Sequence, residues 1–200
     1  MMKDWKKYLF SLTILILCVT FFITFLSFHE NRVALEGWRF NDPFFKVLPS
    51  FNLSWLIFSC TYSSLIVYFV LCYKQAHFLI KLFLTYSVIL LFRIITLSLV
   101  PLKEPLDLIF LEDPFLNDLI YPGRIVRDLF FSGHTALIFS MFLLSGKKVI
   151  FLILTIIVGI SLMIQRVHFS IDIIAAIPFA YLAVFLVKNI MSHRMFDGKG

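Results

Sequence analysis

Long apolar runs are the feature of this sequence that most limits its fold. Six segments are predominantly apolar, and most approach the roughly 20 residues that a helix needs to cross a bilayer. They cover residues 8–28, 53–73, 78–100, 132–145, 149–164 and 170–187. We therefore predict an all-α polytopic membrane protein, a bundle of six transmembrane helices. The fourth segment is short, and we expect its helix to extend back towards Leu129 or to lie partly in the membrane interface.

The composition agrees with this class of protein. Of the 200 residues, 60% are hydrophobic and 15% are charged, whereas soluble domains average about 25% charged residues. We expect residues 1–200 to form a single integral membrane domain with small extramembrane parts. The first run resembles a signal peptide in following three lysines, but it is too long and no small-residue cleavage site follows it. We interpret it as a retained first transmembrane helix.

The basic residues indicate an orientation. With the N-terminus inside, lysines and arginines gather at the inner ends of the spans, and nearly all acidic residues fall on the outer loops. Because basic residues favour the cytoplasmic side, we predict cytoplasmic N- and C-termini. The net charge of +6 then indicates anionic lipid at the inner face and no nucleic-acid partner.

Two polar clusters open apolar runs that start on the same predicted outer face. Ser132, Gly133, His134 and Thr135 open the fourth run, and His168 and Asp172 open the sixth. Residues four apart share a helix face, so Asp172 can accept the ring N–H of His168 and leave the other nitrogen as a base or nucleophile. Ionisable residues at membrane depth are costly and indicate function. We predict a site near the outer leaflet.

Basic residues near these clusters favour phosphoryl chemistry. Free N–H groups at a helix start bind phosphate, and we expect Ser132, Gly133 and Thr135 to form such a start. Further candidate phosphate-binding residues are Arg93, Arg127, Asp128 and Arg166. Each of these residues also has a purely structural interpretation. A histidine can lie at the membrane interface, a His–Asp pair can be a structural hydrogen bond, and an arginine can be a membrane anchor. The sequence has neither a G-x-S-x-G nucleophile motif nor an H-E-x-x-H zinc motif.

Several of these residues resemble the motifs of a known family. Two segments resemble motifs of the type-2 phosphatidic acid phosphatase superfamily. One is residues 127–135, in which an acidic residue is followed by Ser-Gly-His-Thr, and the other is the His-x-x-x-Asp of residues 168–172. The sphingomyelin synthase-like branch is the closer match, since Arg93 to Thr96 is similar to its third-span motif. Asn41-Asp42-Pro43 loosely resembles its first motif. Against the wider superfamily, Phe131 replaces a proline, Leu162 replaces an arginine, and the K-x6-R-P motif is missing.

The resemblance implies a lipid phosphotransferase that needs no metal or cofactor. In that family's chemistry His168 would attack the phosphorus of a phospholipid head group with help from Asp172, and a phosphohistidine would form. His134 would protonate the departing diacylglycerol and then deprotonate the acceptor, either a lipid alcohol such as ceramide or water. The alternatives are a lipid phosphate phosphatase or phospholipase C-type head-group hydrolase, and a non-catalytic membrane lipid-binding or transport protein. The head group and the oligomeric state are not predicted.

Overall fold

The computed structural model describes residues 5–73, 75–113, 125–146 and 148–192. Over these residues the protein is all-α, as predicted, with no β-strand. The six α-helices of this part are α1 (Trp5–Glu36), α2 (Ser54–Cys72), α3 (Ala76–Leu99), α4 (Gly133–Leu144), α5 (Val149–Ile164) and α6 (Ser170–Ser192). A short 3₁₀ helix, Pro43–Lys46, lies between α1 and α2.

Four of these helices are long and apolar enough to cross a membrane: α1, α2, α3 and α6. The prediction of six spanning helices is therefore confirmed only in part. Helix α4 has 12 residues and α5 has 16, which gives lengths of roughly 18 and 24 Å at 1.5 Å per residue. Both fall short of the roughly 30 Å hydrocarbon core of a bilayer.

Helix α4 is short because the chain before it enters the bundle in extended form. The hydroxyl of Thr96 donates to the Phe130 carbonyl at 3.0 Å, and Nε of Arg93 donates to the Phe131 carbonyl at 3.0 Å. These side chains satisfy carbonyls that would otherwise be unpaired in an apolar setting. The expected extension of α4 back to Leu129 is therefore wrong. Thr96 and Arg93 precede the end of α3 by three and six residues, or roughly 4.5 and 9 Å along its axis, so α4 begins below that end.

Helix α1 is longer than predicted and continues past the apolar run to Glu36. His29 and Val33 in this extension are fully buried, so the added turns pack against the protein rather than projecting into solvent. Gly37 ends the helix, with its N–H donating to the Val33 carbonyl at 2.9 Å. A Cβ on Gly37 would collide with Val33 and with the Pro101 carbonyl, so this turn requires glycine.

Helix α4 lies at the centre of the bundle and packs against α3, α5 and α6. Ile138, Met141 and Leu144 of α4 join one core cluster with residues of α5. Ala136 joins another with three fully buried alanines of α6, Ala176, Ala180 and Ala183. Small residues at such contacts allow helix backbones to approach closely. Of the two helices that are too short to span, α4 is thus enclosed by its neighbours, whereas α5 packs on α4 and α2 and leaves a row of isoleucines exposed.

The helices alternate in direction, so the starts of α2, α4 and α6 share one end with the ends of α1, α3 and α5. We call this the polar end of the bundle. Gln165, just after α5, illustrates the arrangement, because its side chain donates to Ser54 of α2 at 2.8 Å and accepts from the Leu53 N–H at 2.8 Å. All ten residues that the sequence singled out for the site lie on segments that meet at or just below this end.

Candidate active site

The starts of α4 and α6 are joined by a backbone hydrogen bond. The Ser132 N–H donates to the Asp172 carbonyl at 3.1 Å. The Ser132 hydroxyl caps α4 by accepting from the Thr135 N–H at 3.4 Å and from the Thr135 hydroxyl at 3.1 Å. Ser132, Gly133 and Thr135 are buried. As a result, His134 and His168 lie close enough to interact electrostatically, although 34 positions separate them in sequence.

His168 and Asp172 form a buried pair, as the four-residue spacing predicts. Nδ1 of His168 lies 3.2 Å from Oδ2 of Asp172, and the Phe169 N–H donates to the same oxygen at 2.9 Å. The side chains of His168 and Asp172 are 4% and 0% exposed. A carboxylate at Nδ1 favours the tautomer with its proton there, which leaves Nε2 with its lone pair. Oδ1 of Asp172 has no hydrogen-bond partner in the part of the chain that the structure describes.

His134 follows the cap of α4 and is partly exposed. The edge of its ring faces Phe58 of α2, with 5.7 Å between ring centroids. Phe58 in turn stacks on Tyr62, whose hydroxyl donates to Asp113 at 2.7 Å. This aromatic packing holds the imidazole from the α2 side while its nitrogens make no hydrogen bond within the described residues.

Arg93 brings a buried positive charge to the start of α4. Its guanidinium bonds the Asp128 carboxylate and the Phe131 carbonyl, and it lies 4.8 Å from the Phe22 ring centroid. A Cβ built on Gly133 would lie only 2.5 Å from Nη1, so glycine is what lets the cation approach this helix start. A fixed guanidinium at a helix N-terminus suits a phosphate group.

Arg127 has partners other than those expected of a phosphate-binding residue. Nη1 lies 2.8 Å from Oε1 of Glu30, and Nε lies 2.8 Å from Oε2 of Glu104. Arg127 therefore connects the last turns of α1, through Glu30, to the segment that follows α3, through Glu104. Burial alone raises the pKa of Glu104, but its backbone hydrogen bond and the guanidinium groups of Arg127 and Arg39 outweigh that effect and lower the pKa below its ordinary value.

Arg166 likewise supports the backbone around the site rather than facing the histidines. Nη2 donates to the carbonyls of Phe45 and Leu48 at 2.8 and 2.7 Å. The guanidinium stacks on the Phe45 ring at 4.2 Å, and Nε lies 3.3 Å from Asp107. Its positive φ of 61°, uncommon for a residue with a side chain, turns the chain sharply between α5 and α6.

Asp42 contacts the site but was not among its predicted residues. Oδ1 accepts the Phe44 N–H at 3.0 Å, and Oδ2 accepts the Ser170 N–H at 2.5 Å. One buried carboxylate thus caps both the 3₁₀ helix and, from 128 positions away, α6. The Asn-Asp-Pro turn signal was visible in the sequence, but its partner was not. Gln165 had no sequence signal at all, since a glutamine is ordinary at a helix end.

The chain has no match to a known family model, to a curated protein or to a solved structure. No group of three or more His, Cys, Asp or Glu residues within the described ranges is arranged to hold a metal ion. The geometry of the residues themselves is therefore the basis for inferring a function.

Proposed function

We propose that this protein is a membrane enzyme that transfers a phospho-head group from a glycerophospholipid to a lipid alcohol such as ceramide. The reaction proceeds through a phosphohistidine on His168. The family resemblance of residues 127–135 and 168–172 suggested this chemistry, and the arrangement of the same residues supports it independently.

One observation carries the proposal: the Ser132 N–H to Asp172 carbonyl hydrogen bond sets the starts of α4 and α6 side by side. It brings the partly exposed His134 to the buried group of His168, Asp172 and Arg93. A purely structural role explains each group separately but gives no reason for gathering two imidazoles beside a cation at a helix start. A phosphoryl group requires this combination of nucleophile, acid and anion site.

In the first half-reaction Nε2 of His168 attacks the phosphorus. A P–N bond forms, the bond from phosphorus to the diacylglycerol oxygen breaks, and His134 gives its proton to that oxygen. Asp172 holds the imidazole at Nδ1 and offsets the positive charge that the ring gains on attack. Arg93 and the free N–H groups of the α4 start stabilise the charge on the phosphoryl oxygens.

In the second half-reaction the roles reverse. His134, now neutral, removes the proton from the acceptor hydroxyl, and the acceptor oxygen attacks the phosphorus. The P–N bond breaks and returns its electron pair to Nε2 of His168. With ceramide as acceptor the product is a sphingophospholipid, and with water it is a free phospho-head group. The choice of acceptor thus separates a transferase from a head-group hydrolase.

The proposed location follows from the alternation of the helices and the distribution of charge. We place the N- and C-termini in the cytoplasm and the polar end at the outer leaflet. This topology holds whether α4 and α5 cross the bilayer or form a hairpin that dips into it, because the pair begins and ends at the polar end in both cases.

The test uses protein purified in detergent and phosphatidylcholine or phosphatidylethanolamine labelled in the head-group phosphorus. With ceramide present we expect label in a sphingophospholipid. Without acceptor we expect label on the protein that is stable to alkali and labile to acid, as a phosphohistidine is. His168→Ala should remove both signals, and His134→Ala should lower turnover by about 10²–10⁴-fold, the usual contribution of an acid–base group.

His77→Ala is the matched control, since His77 lies at the start of α3 at the opposite end of the bundle. It should leave turnover unchanged. Free phosphocholine or phosphoethanolamine as the main product, in the presence of ceramide, would favour the hydrolase. Turnover that persists in His168→Ala, or no turnover with any of these donors in the native protein, would contradict the proposal and favour a lipid-binding or transport role.

A further inference from the structure

A cleft of about 370 Å³ opens at the polar end, between the segment around the 3₁₀ helix and residues 105–107. Its floor is aromatic, because the Phe169 ring meets Phe40 edge-on at 5.6 Å and stacks on Phe45 at 5.5 Å. His168, His134 and Arg93 do not line it. The cleft is therefore separate from the histidine pair, although Phe169 is the residue directly after His168.

Two basic and two acidic side chains line this cleft, and the basic ones are the more available to a ligand. Its acidic side chains are both engaged, Asp42 by two backbone N–H groups and Asp107 by the Arg166 guanidinium. Its basic side chains are Arg39 and Lys46, both exposed. Nε of Arg39 donates to the Glu104 carbonyl at 3.0 Å, and its guanidinium is also attracted to the Glu104 carboxylate. Lys46 has no hydrogen bond or ion pair within the described ranges. Two cations above an aromatic floor suit a ligand that is both anionic and apolar.

The surface around the cleft indicates where that ligand comes from. Val47 and Leu106 are each 83% exposed, and Phe44 and Trp38 are about half exposed. These large apolar side chains lie outside the α-helices, on the segments that border the cleft. In water such a patch is unusual, whereas apolar and aromatic residues flanked by basic ones are typical of the membrane–water interface.

We propose that this cleft is a docking site for an anionic phospholipid at the membrane surface. The lipid phosphate lies between Arg39 and Lys46, and the upper part of its acyl chains lies on Phe40, Phe45 and Phe169. Phe44, Val47 and Leu106 hold the rim at the level of the head groups. The site goes beyond the proposed phosphotransfer, because binding here requires neither His168 nor His134.

Trp38 provides a native reporter, since it directly precedes Arg39. In a variant that carries Trp5→Phe and Trp55→Phe, Trp38 is the single tryptophan of the chain. We would reconstitute it in phosphatidylcholine vesicles that contain either brominated phosphatidylglycerol or brominated phosphatidylcholine at the same mole fraction. Bromine quenches tryptophan on contact, so we expect stronger quenching by the anionic lipid.

Arg39→Gln with Lys46→Gln should reduce this preference by about 25-fold, since each basic residue near anionic lipid contributes roughly fivefold. Lys103→Gln is the matched control, because Lys103 lies beside Trp38 on the neighbouring segment but does not line the cleft. If the double variant fails to fold, Lys46→Gln alone suffices, since its exposed side chain has no described protein contact.

Equal quenching by both lipids would overturn the proposal, as would a preference that survives the double variant or is lost equally in Lys103→Gln. His168→Ala should bind like the parent variant. A preference for anionic lipid in a protein that shows no turnover would support the cleft while contradicting the proposed phosphotransfer, so the two proposals fail by different results.

Discussion

At the residue scale, the site depends on a few atoms with little freedom to move. Oδ2 of Asp172 receives both Nδ1 of His168 and the Phe169 N–H, so the imidazole is fixed to the backbone that carries it. Gly133 lets the Arg93 guanidinium lie against the α4 start. Asp42 fixes the first turn of α6 from outside. Each residue acts through position, and small changes should therefore affect the chemistry more than the fold.

Gly133→Ala should lower turnover by roughly 10- to 100-fold, because displacing a positioned charge by about 1 Å has effects of that size. The added Cβ would meet Nη1 of Arg93 at 2.5 Å, and the guanidinium would have to move away. Steady-state turnover of labelled donor measures the change.

Gly146→Ala is the matched control for Gly133→Ala. Gly146 has a φ of +76° with open space around it, so alanine there should lower the free energy of unfolding by about 1 kcal/mol and leave turnover unchanged. If both glycine variants reduced turnover equally, the effect at Gly133 would be general destabilisation and not displacement of Arg93.

Asp42→Asn should reduce kcat about tenfold or more with little change in KM. Asp42 accepts the Phe44 and Ser170 N–H groups on different oxygens, and asparagine replaces one of these oxygens with an NH2 group that only donates. The backbone that carries His168 therefore loses part of its support. Asn41→Ala, at the exposed neighbouring position, is the control and should behave like the native protein. A rise in KM with constant kcat would instead assign Asp42 to substrate binding.

At the element scale, two irregular segments do what helices alone cannot. The chain before α4 descends beside α3 and delivers Asp128 and Ser132 to the level of Arg93. The segment around the 3₁₀ helix crosses the polar end and is held by Asp42 and Arg166. Arg127 connects α1 to the loop before α4 through Glu30 and Glu104. This bridge should contribute measurably to stability.

Glu104→Gln should lower the free energy of unfolding by about 1 kcal/mol at neutral pH. Exposed ion pairs contribute up to about 1 kcal/mol, and a partly buried bidentate pair should contribute an amount near that upper value. The pKa of Glu104 in the folded protein is below its ordinary value of 4.5. Its stabilisation is therefore fully present above pH 4.5 and disappears as the pH falls through the folded value.

Thermal unfolding in detergent, measured from pH 7 down to below pH 4, checks this dependence. We expect the native protein and Glu104→Gln to differ at pH 7 and to converge in acid. Glu112→Gln is the control, because that exposed carboxylate has no described ion pair. A difference that stays constant with pH would show that the loss in Glu104→Gln is steric and not electrostatic.

At the scale of the whole molecule, the short helix α4 lies at the centre of the bundle and α5 packs on α4 and α2 with one face exposed. The proposed site lies below the polar end. In the proposed membrane orientation, the start of α4 below the end of α3 would set the histidines at a depth where ester bonds of a lipid reach them. Water reaches such a depth less easily than the surface, and its exclusion would favour transfer to a lipid alcohol over hydrolysis.

The proposed orientation is testable with two cysteines in a variant whose three native cysteines are replaced by serine. Glu112→Cys reports the polar end, and Ser192→Cys reports the end of α6 at the opposite side. In intact cells an impermeant thiol reagent should label position 112 and leave position 192 unlabelled until lysis. The reverse pattern would place the site at the cytoplasmic leaflet.

The apolar runs alone predicted an all-α membrane protein and located all six helices. For α5 both predicted ends, residues 149 and 164, match the structure. They did so because helix formation and burial in lipid are properties of local sequence. The pairing of His168 with Asp172 was also predictable from their four-residue spacing, although His168 lies two residues before α6 begins at Ser170. Where a boundary depends on a distant partner, as at Leu129 before α4 or at Glu36 in α1, the sequence prediction was wrong.

Only the tertiary structure decided which of the basic residues approach the histidines. Arg93, Arg127 and Arg166 are equivalent candidates by type and by proximity to the motifs. Their partners are 38, 97 and 121 positions away, and no local pattern records them. Arg93 reaches the α4 start because Gly133 leaves room for it, while carboxylates and carbonyls of distant loops engage the other two. The sequence determined which chemical groups are available, and packing between distant segments determined which of them meet.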